Sequence, residues 1–224
     1  MSDAHAKKPL GRPKGEQTEN AAKRRKQLVE AAIDSIVTHG MSATTLATVS
    51  KAAGLSQGVA VFYFKSKENL LTETLKKHYE EYQATWKRAQ ADAPDDPLEQ
   101  IMAIVYADLD PIICNNRNLT LWNSYWGEAT ARPNFAELCD HYDKERYDML
   151  VSLCRAVEDQ MSGKQWDAVS VADTLDTLTD GFWIRIHITP NFMSLKEARG
   201  VIARYLATVF PQHESRIFEL ARAV

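Results

Sequence analysis

Apolar residues along this chain recur three and four positions apart, and runs of strict alternation are scarce, so an all-α fold is expected. Over residues 21–38, Leu28, Ala32, Ile33, Ile36 and Val37 form the buried stripe of a first helix, which Gly40 stops. Thr44 or Thr45 caps a second helix running to Ala53, with Leu46 and Val49 facing inward. Gly54 ends it, Leu55 fills the corner, and Ser56 caps a third helix over 57–62. Ser66 caps a fourth, which opens KENLL and extends to about Gln90. After the breaker-rich ADAPDDP, Pro97 suits the first turn of a fifth helix ending near Cys114. A sixth covers about 118–130, a seventh 135–160, an eighth 166–188 and a ninth 195–210, with Pro190 and Pro211 as punctuation. About nine helices result.

Composition leaves this picture standing. Apolar residues make up 45% of the 224 and charged residues 25%, as in ordinary soluble globular proteins. No apolar run has the length of a membrane span, and MSDAHAKKPLGRPKG offers no secretory segment. The 3 cysteines (Cys114, Cys139, Cys154) form no Cys-x-x-Cys pair, which suits reduced thiols in a cytoplasmic protein. Charge, however, is unevenly spread. Residues 1–77 carry 13 Lys/Arg against 7 Asp/Glu, and residues 78–224 carry 14 against 23. Three parts follow: a flexible basic arm over 1–20, a basic helical domain over 21–77, and a larger acidic helical domain over 78–224.

The third helix is short and carries Gly58 near its start, at a cost of about 1 kcal/mol in helix propensity. Helix, tight glycine turn, helix is the helix-turn-helix pattern, whose second helix reads base edges in the DNA major groove from its N-terminal end. Only the first turns of such a helix touch bases, so it can be short, and Gly58 lets its backbone approach DNA. Thr45, Ser56 and Ser66 stand at helix starts, where free N–H groups meet phosphate. Tyr63 offers a hydroxyl to phosphate, Lys65 and Lys67 add charge, and Phe64 turns inward as an anchor. Capped helices alone would suit a plain bundle; the spacing together with the basic balance favours double-stranded DNA as partner. Ahead of these helices, Arg12 and Lys14 in GRPKG suit an arm entering a narrow A·T-rich minor groove, with a solvated tail as the alternative.

The stretch TTLATVSKAAGLSQGVAVFYFKSKENLL resembles the DNA-binding signature of the TetR-type repressors, over about Gln27 to Leu71 without a gap. The resemblance implies a three-helix DNA-binding domain on a divergent ligand-binding and dimerisation domain, acting as a homodimer. It implies phosphate contacts by Thr45, Tyr63 and Lys67, and groove contacts by Gln57, Gly58 and neighbours. The chain departs from the pattern at Val61 and Phe62, where many members carry Tyr and a polar residue; these two side chains instead suit thymine methyls.

In the larger domain Trp122, Tyr125 and Trp126 share one face of the sixth helix, as core or as the wall of a pocket for a cation. LWNSYWGEATARPNF and LDTLTDGFWIRI resemble the BetI-like, choline-responsive subgroup of these repressors, which implies control of choline or glycine-betaine genes. Trp122, Tyr125, Trp126 and Trp183 are expected on one ligand pocket, with Glu128, Asp108 and Asp180 as candidate acidic partners. A neutral aromatic or lipophilic effector is the rival. Leu175, Leu178, Phe182 and Ile186 on the eighth helix, with Ile202, Leu206 and Val209 on the ninth, are expected at a dimer interface, the alternative being intramolecular core. Gly181 and Gly200 would permit close helix approach. The histidines have no metal-ligand spacing, and no phosphate-binding glycine loop or Gly-x-Ser-x-Gly elbow occurs, so neither cofactor nor catalysis is expected. The sequence therefore reads as a cytoplasmic, homodimeric repressor released from operator DNA by a small molecule, with a helical enzyme or carrier as the remote alternative.

Overall fold

The structure is a computed structural model and describes residues 14–161, 166–189 and 191–223. Every regular element in them is helical. Contacts divide the chain into two compact units after Thr74.

The first unit contains α1 (Lys14–Ala43), α2 (Leu46–Ala52), α3 (Gln57–Phe64) and the opening of α4 (Lys67–Asp92). α1 starts about two turns before residue 21, taking in residues expected in the flexible arm, because polar helix formers continue it without any hydrophobic signal. Gly40 breaks its last turns at φ +82°. Leu28, Ala32, Ile33 and Ile36 form the buried face of α1, and Val49, Ala60, Phe64, Leu70 and Leu71 complete the core. Of the two threonines, Thr45 is the cap: its hydroxyl accepts from Thr48 N at 3.1 Å, and Thr48 Oγ1 in turn accepts from Thr45 N at 2.8 Å. Thr44 is buried, bonded to Ser35 Oγ and Gly40 O. Gly54, at φ +65°, makes the turn between α2 and α3. Gln27 Nε2 donates to Ala53 O at 2.6 Å and ties α1 to that turn. Ser56 precedes α3 but its side chain makes no capping bond, whereas Ser66 Oγ does accept from Asn69 N at the head of α4.

The second unit holds the rest of α4 with α5 (Pro97–Asp108), α6 (Asn116–Ala129), α7 (Pro133–Asp159), α8 (Ala168–Ile188), α9 (Leu195–Val209) and α10 (Glu214–Ala223). α5 is buried nearly all round, from Leu98 through Asp108, and packs against α7 and α8. It stops at Asp108 rather than near Cys114, and the chain turns through Asp110 before Asn115 caps α6. α10, beyond the ninth expected helix, packs on α9 with Ile217 fully buried. It is short and follows Pro211, so its single amphipathic turn pair passes for a tail in the sequence.

The expected dimer stripe needs correction. Leu175, Ile202, Leu206 and Val209 are at most 2% exposed within one chain. They are intramolecular core and keep no surface for a partner. Phe182 is also buried, while Leu178 and Ile186 are partly exposed. The free apolar surface of this region lies at Ile184, Ile188 (70% exposed) and Phe192.

Candidate functional site

Two sites emerge, one in each unit. In the first, helical phase sorts the residues of α3. Ala60 and Phe64 turn into the core, which leaves Gln57, Gly58, Val61 and Phe62 outward. Phe62 is 67% exposed, a large ring with the edge of Tyr63 at 5.2 Å and the Lys65 ammonium over its face. A methyl group placed on Gly58 would meet only Ser56 Oγ, at an ordinary 3.8 Å. The fold therefore does not require glycine here. Tyr63 is half-buried. The Lys67 ammonium donates to Met41 O (2.8 Å) and Ser42 O (3.0 Å), the carbonyls that end α1. Arg12 lies outside the described residues, and Lys14 is known only as the first residue of α1.

In the second unit, four helices converge on a cavity of about 130 Å³. Each contributes residues at helical spacing: Tyr79 and Tyr82 from α4, Trp122 and Trp126 from α6, Asp143 and Arg146 from α7, and Asp176, Thr179, Asp180 and Trp183 from α8. The three indoles lie near-parallel, with centroids 5.9–6.3 Å apart and planes within 22°. The two tyrosine rings stand edge-on to Trp122, at 71° and 78°. Walls in two orientations result, which is the form of an aromatic cage.

Carboxylates surround this cage. The buried Arg146 guanidinium bridges Asp108 and Asp176. Burial pulls Arg146 toward neutrality, but Asp108 and the other acidic neighbours more than offset it and hold it charged. Asp143 Oδ2 accepts from Tyr79 Oη at 3.1 Å. Desolvation, with a smaller contribution from Asp180, raises Asp143 to about 7, and desolvation with Asp176 raises Asp180 to about 6. Both residues nonetheless present an exposed surface to solvent, so water screens much of each effect, and the direction is upward for both. One guanidinium thus faces a surplus of acidic groups. The cavity has the charge for a cation, and its size is well below that of drug-sized pockets.

Trp122, Trp126, Trp183 and Asp180 lie on the cavity as expected; three other residues do not. Tyr125 is fully buried against Phe135, at 5.1 Å. Position 125 lies roughly 100° around the helix from 126, so it faces α7 instead. Glu128 is paired with Arg132 at 2.9 Å. Asp108 sits behind the wall: it accepts from Tyr82 Oη at 2.8 Å, and its backbone oxygen accepts from Trp183 Nε1 at 2.8 Å. It orients two rings without lining the space. Tyr79, Tyr82, Asp143, Arg146, Asp176 and Thr179 were not anticipated. Their i, i+3 and i, i+4 spacings were visible, yet nothing in one sequence says which faces of four helices meet.

Comparison with known proteins identifies both parts. The family model for bacterial regulatory proteins of the tetR family matches residues 28–74. That for the C-terminal part of BetI-type transcriptional repressors matches 97–211. The HTH-type transcriptional regulator BetI of Stenotrophomonas maltophilia is 30% identical over 82% of this chain and 91% of its own length. BetI 1 of Chromohalobacter salexigens is 26% identical over 82% and 88%. Among solved structures, a transcriptional regulator from Pseudomonas aeruginosa PAO1 superposes with a TM-score of 0.78 at 19% identity, covering 88% of this chain and 94% of that one. A regulator from Saccharomonospora viridis, solved in complex with choline, gives 0.74 at 20% identity, covering 83% and 96%. These relatives are transcriptional regulators rather than enzymes, and no helix among the described residues is long and apolar enough to cross a membrane. From the turn at Gly54 to the tryptophan cage, then, the chain belongs to the tetR family of bacterial regulatory proteins and to its BetI-type transcriptional repressors.

Proposed function

We propose that the tryptophan cavity binds a small quaternary ammonium compound of the choline type, and that its occupation releases a homodimer of this cytoplasmic protein from operator DNA. The observation that carries the reading is the cage itself: indole and phenol faces in two orientations, with more carboxylates than cations around them. A cation over an aromatic face gains about 0.5–2 kcal/mol depending on desolvation, so several rings are needed for useful affinity. The choline complex of the S. viridis regulator, which shares the fold, supports the same ligand class. A neutral lipophilic effector fits this cavity poorly, because Arg146, Asp143, Asp176 and Asp180 would all face it.

On the DNA side, Gln57, Gly58, Val61 and Phe62 are the groove-facing set, and Thr45, Ser56, Tyr63 and Lys67 serve phosphates. The exposed Phe62 and the sterically unneeded Gly58 support this assignment. Arg12 and Lys14 extend it to the minor groove. The second copy docks on the α8–α9 face around Leu178, Gly181, Phe182 and Val201, with Ile184 and Ile188 beside it. This face forms a shallow apolar groove, and a methyl group on Gly181 would meet nothing within 4 Å.

The test is a titration with choline and its neutral isostere 3,3-dimethylbutanol, read by tryptophan fluorescence and by operator release. Choline should quench and release, and the isostere should bind far more weakly. Equal binding of the two, or binding of neither, would remove the quaternary-ammonium reading. Trp126→Ala should abolish the fluorescence response while leaving operator binding intact.

A further inference from the structure

His78 on α4 and Trp122 on α6 share an unusual defect. His78 is 5% exposed and Trp122 1%, and their rings touch, with centroids 4.2 Å apart and planes 43° from parallel. Yet His78 Nε2 and Trp122 Nε1 are both buried without a hydrogen-bond partner among the described residues. Buried polar groups are ordinarily paired, so two orphans in contact call for an explanation. The pair is complementary. An indole N–H can only donate, and a neutral imidazole presents one acceptor nitrogen. Burial, helped by Arg117 and Lys77, keeps the imidazole neutral by pushing its pKa down to about 3. No hydrogen bond joins the two nitrogens in this conformation, although the ring centroids are only 4.2 Å apart.

Their positions give the defect a use. Trp122 forms the cage wall that both tyrosines and both other indoles touch. His78 sits on α4, the helix that runs from the DNA-binding unit into this one. The geometry points to His78 as the residue that couples the cage to α4, through a Trp122 Nε1–H···Nε2 His78 hydrogen bond made when a cation occupies the cage. A ligand seated on the indole face fixes the ring's rotation, and satisfying both orphans then favours a shifted α4. His78 touches no ligand and acts as a positioning residue. The inference rests on the cation reading of the cage.

The experiment compares His78→Phe, which keeps a ring against Trp122 without an acceptor, with His78→Gln, which keeps an acceptor. The quantity read is the ratio of operator Kd at saturating choline to operator Kd without it, so that changes in choline affinity do not enter. His78→Phe should lower that ratio by about tenfold or more, and His78→Gln should restore most of it. In the wild type, the indole ¹H–¹⁵N signal of Trp122, assigned from Trp122→Phe, should move downfield on adding choline. An unchanged ratio in His78→Phe, or a stationary indole signal while choline binds and releases DNA, overturns the role of His78 alone. The indole signal decides the matter even if the variants fold poorly. No choline binding by the wild type, read by fluorescence, removes the cation reading and this inference with it.

Discussion

At the scale of single residues the cage's acidic side chains carry the sharpest consequences. A carboxyl raised in the folded state favours folding in its neutral form. That contribution is fully present below the unfolded pKa near 4 and is lost as pH rises through the folded one. For Asp143 the window runs from about 4 to about 7. The ligand-free protein should therefore lose stability across that window, and Asp143→Asn should raise its melting temperature at pH 8. A cation needs the ionised form, so choline affinity should move the opposite way. It should weaken by roughly tenfold from pH 8 to 5.5, the effect of one unit of pKa change on binding. Asp143→Asn should flatten most of that dependence, and isothermal titration at several pH values checks it; affinity indifferent to pH would show that Asp143 does not face the ligand. Gly58 carries the corresponding prediction on DNA. Gly58→Ala should keep or raise the melting temperature, since the added methyl fits and helix propensity improves by about 1 kcal/mol. Operator affinity should fall all the same. Unaltered binding would place α3 farther from DNA than proposed.

At the scale of elements, the turns and ends of helices fix the reading head. Gly54 at φ +65° sets the angle at which α3 leaves α2, and a side chain there costs roughly 1–2 kcal/mol. Lys67 has two roles that a single substitution separates. Its ammonium closes the carbonyl end of α1 at Met41 and Ser42, and in the functional proposal it adds charge near phosphate. Lys67→Ala should thus lower the melting temperature of the protein and weaken binding to all DNA sequences about equally. The slope of log K against log salt should drop by about one. A changed preference among operators, with the slope intact, would assign Lys67 to base reading instead. On the ligand side, α8 alternates its duties by phase. Asp176, Thr179, Asp180 and Trp183 line the cavity, Leu175 lies in the core, and Ile184 and Ile188 face outward.

At the scale of the whole molecule, a single reading head is not enough. Two recognition helices on one DNA face must reach major grooves about 34–36 Å apart, so a partner copy is part of the proposed mechanism. The exposed isoleucines allow a clean test because they support no core of their own. Ile184→Glu with Ile188→Glu should give a folded monomer in analytical ultracentrifugation, with helix content unchanged and operator affinity reduced by at least an order of magnitude, since bivalent binding is lost. A dimer that survives both substitutions would move the interface elsewhere on the chain.

How much of this was legible in the sequence depends on how local the determining interaction is. Helix positions, the glycine turn at Gly54, the inward Phe64 and the break before Pro97 follow from periodicity, caps and backbone sterics within a few residues, and the sequence alone determined them. It also placed two of the cage tryptophans together, because Trp122 and Trp126 share one helix face. It missed the first turns of α1, which carry no apolar periodicity, and all of α10, which is amphipathic but short and follows Pro211. The tertiary structure decided the rest. Only packing shows that Tyr125 turns to Phe135 and Glu128 to Arg132, and that Asp108 stands behind the cage holding Tyr82 and Trp183. Only packing brings Tyr79, Tyr82, Asp143 and Asp176 to the same cavity, or buries Leu175, Ile202, Leu206 and Val209 inside one chain. The physical reason is that a helix's own spacing fixes which residues share a face, while the neighbour that face meets is set by side-chain fit between segments far apart in the chain.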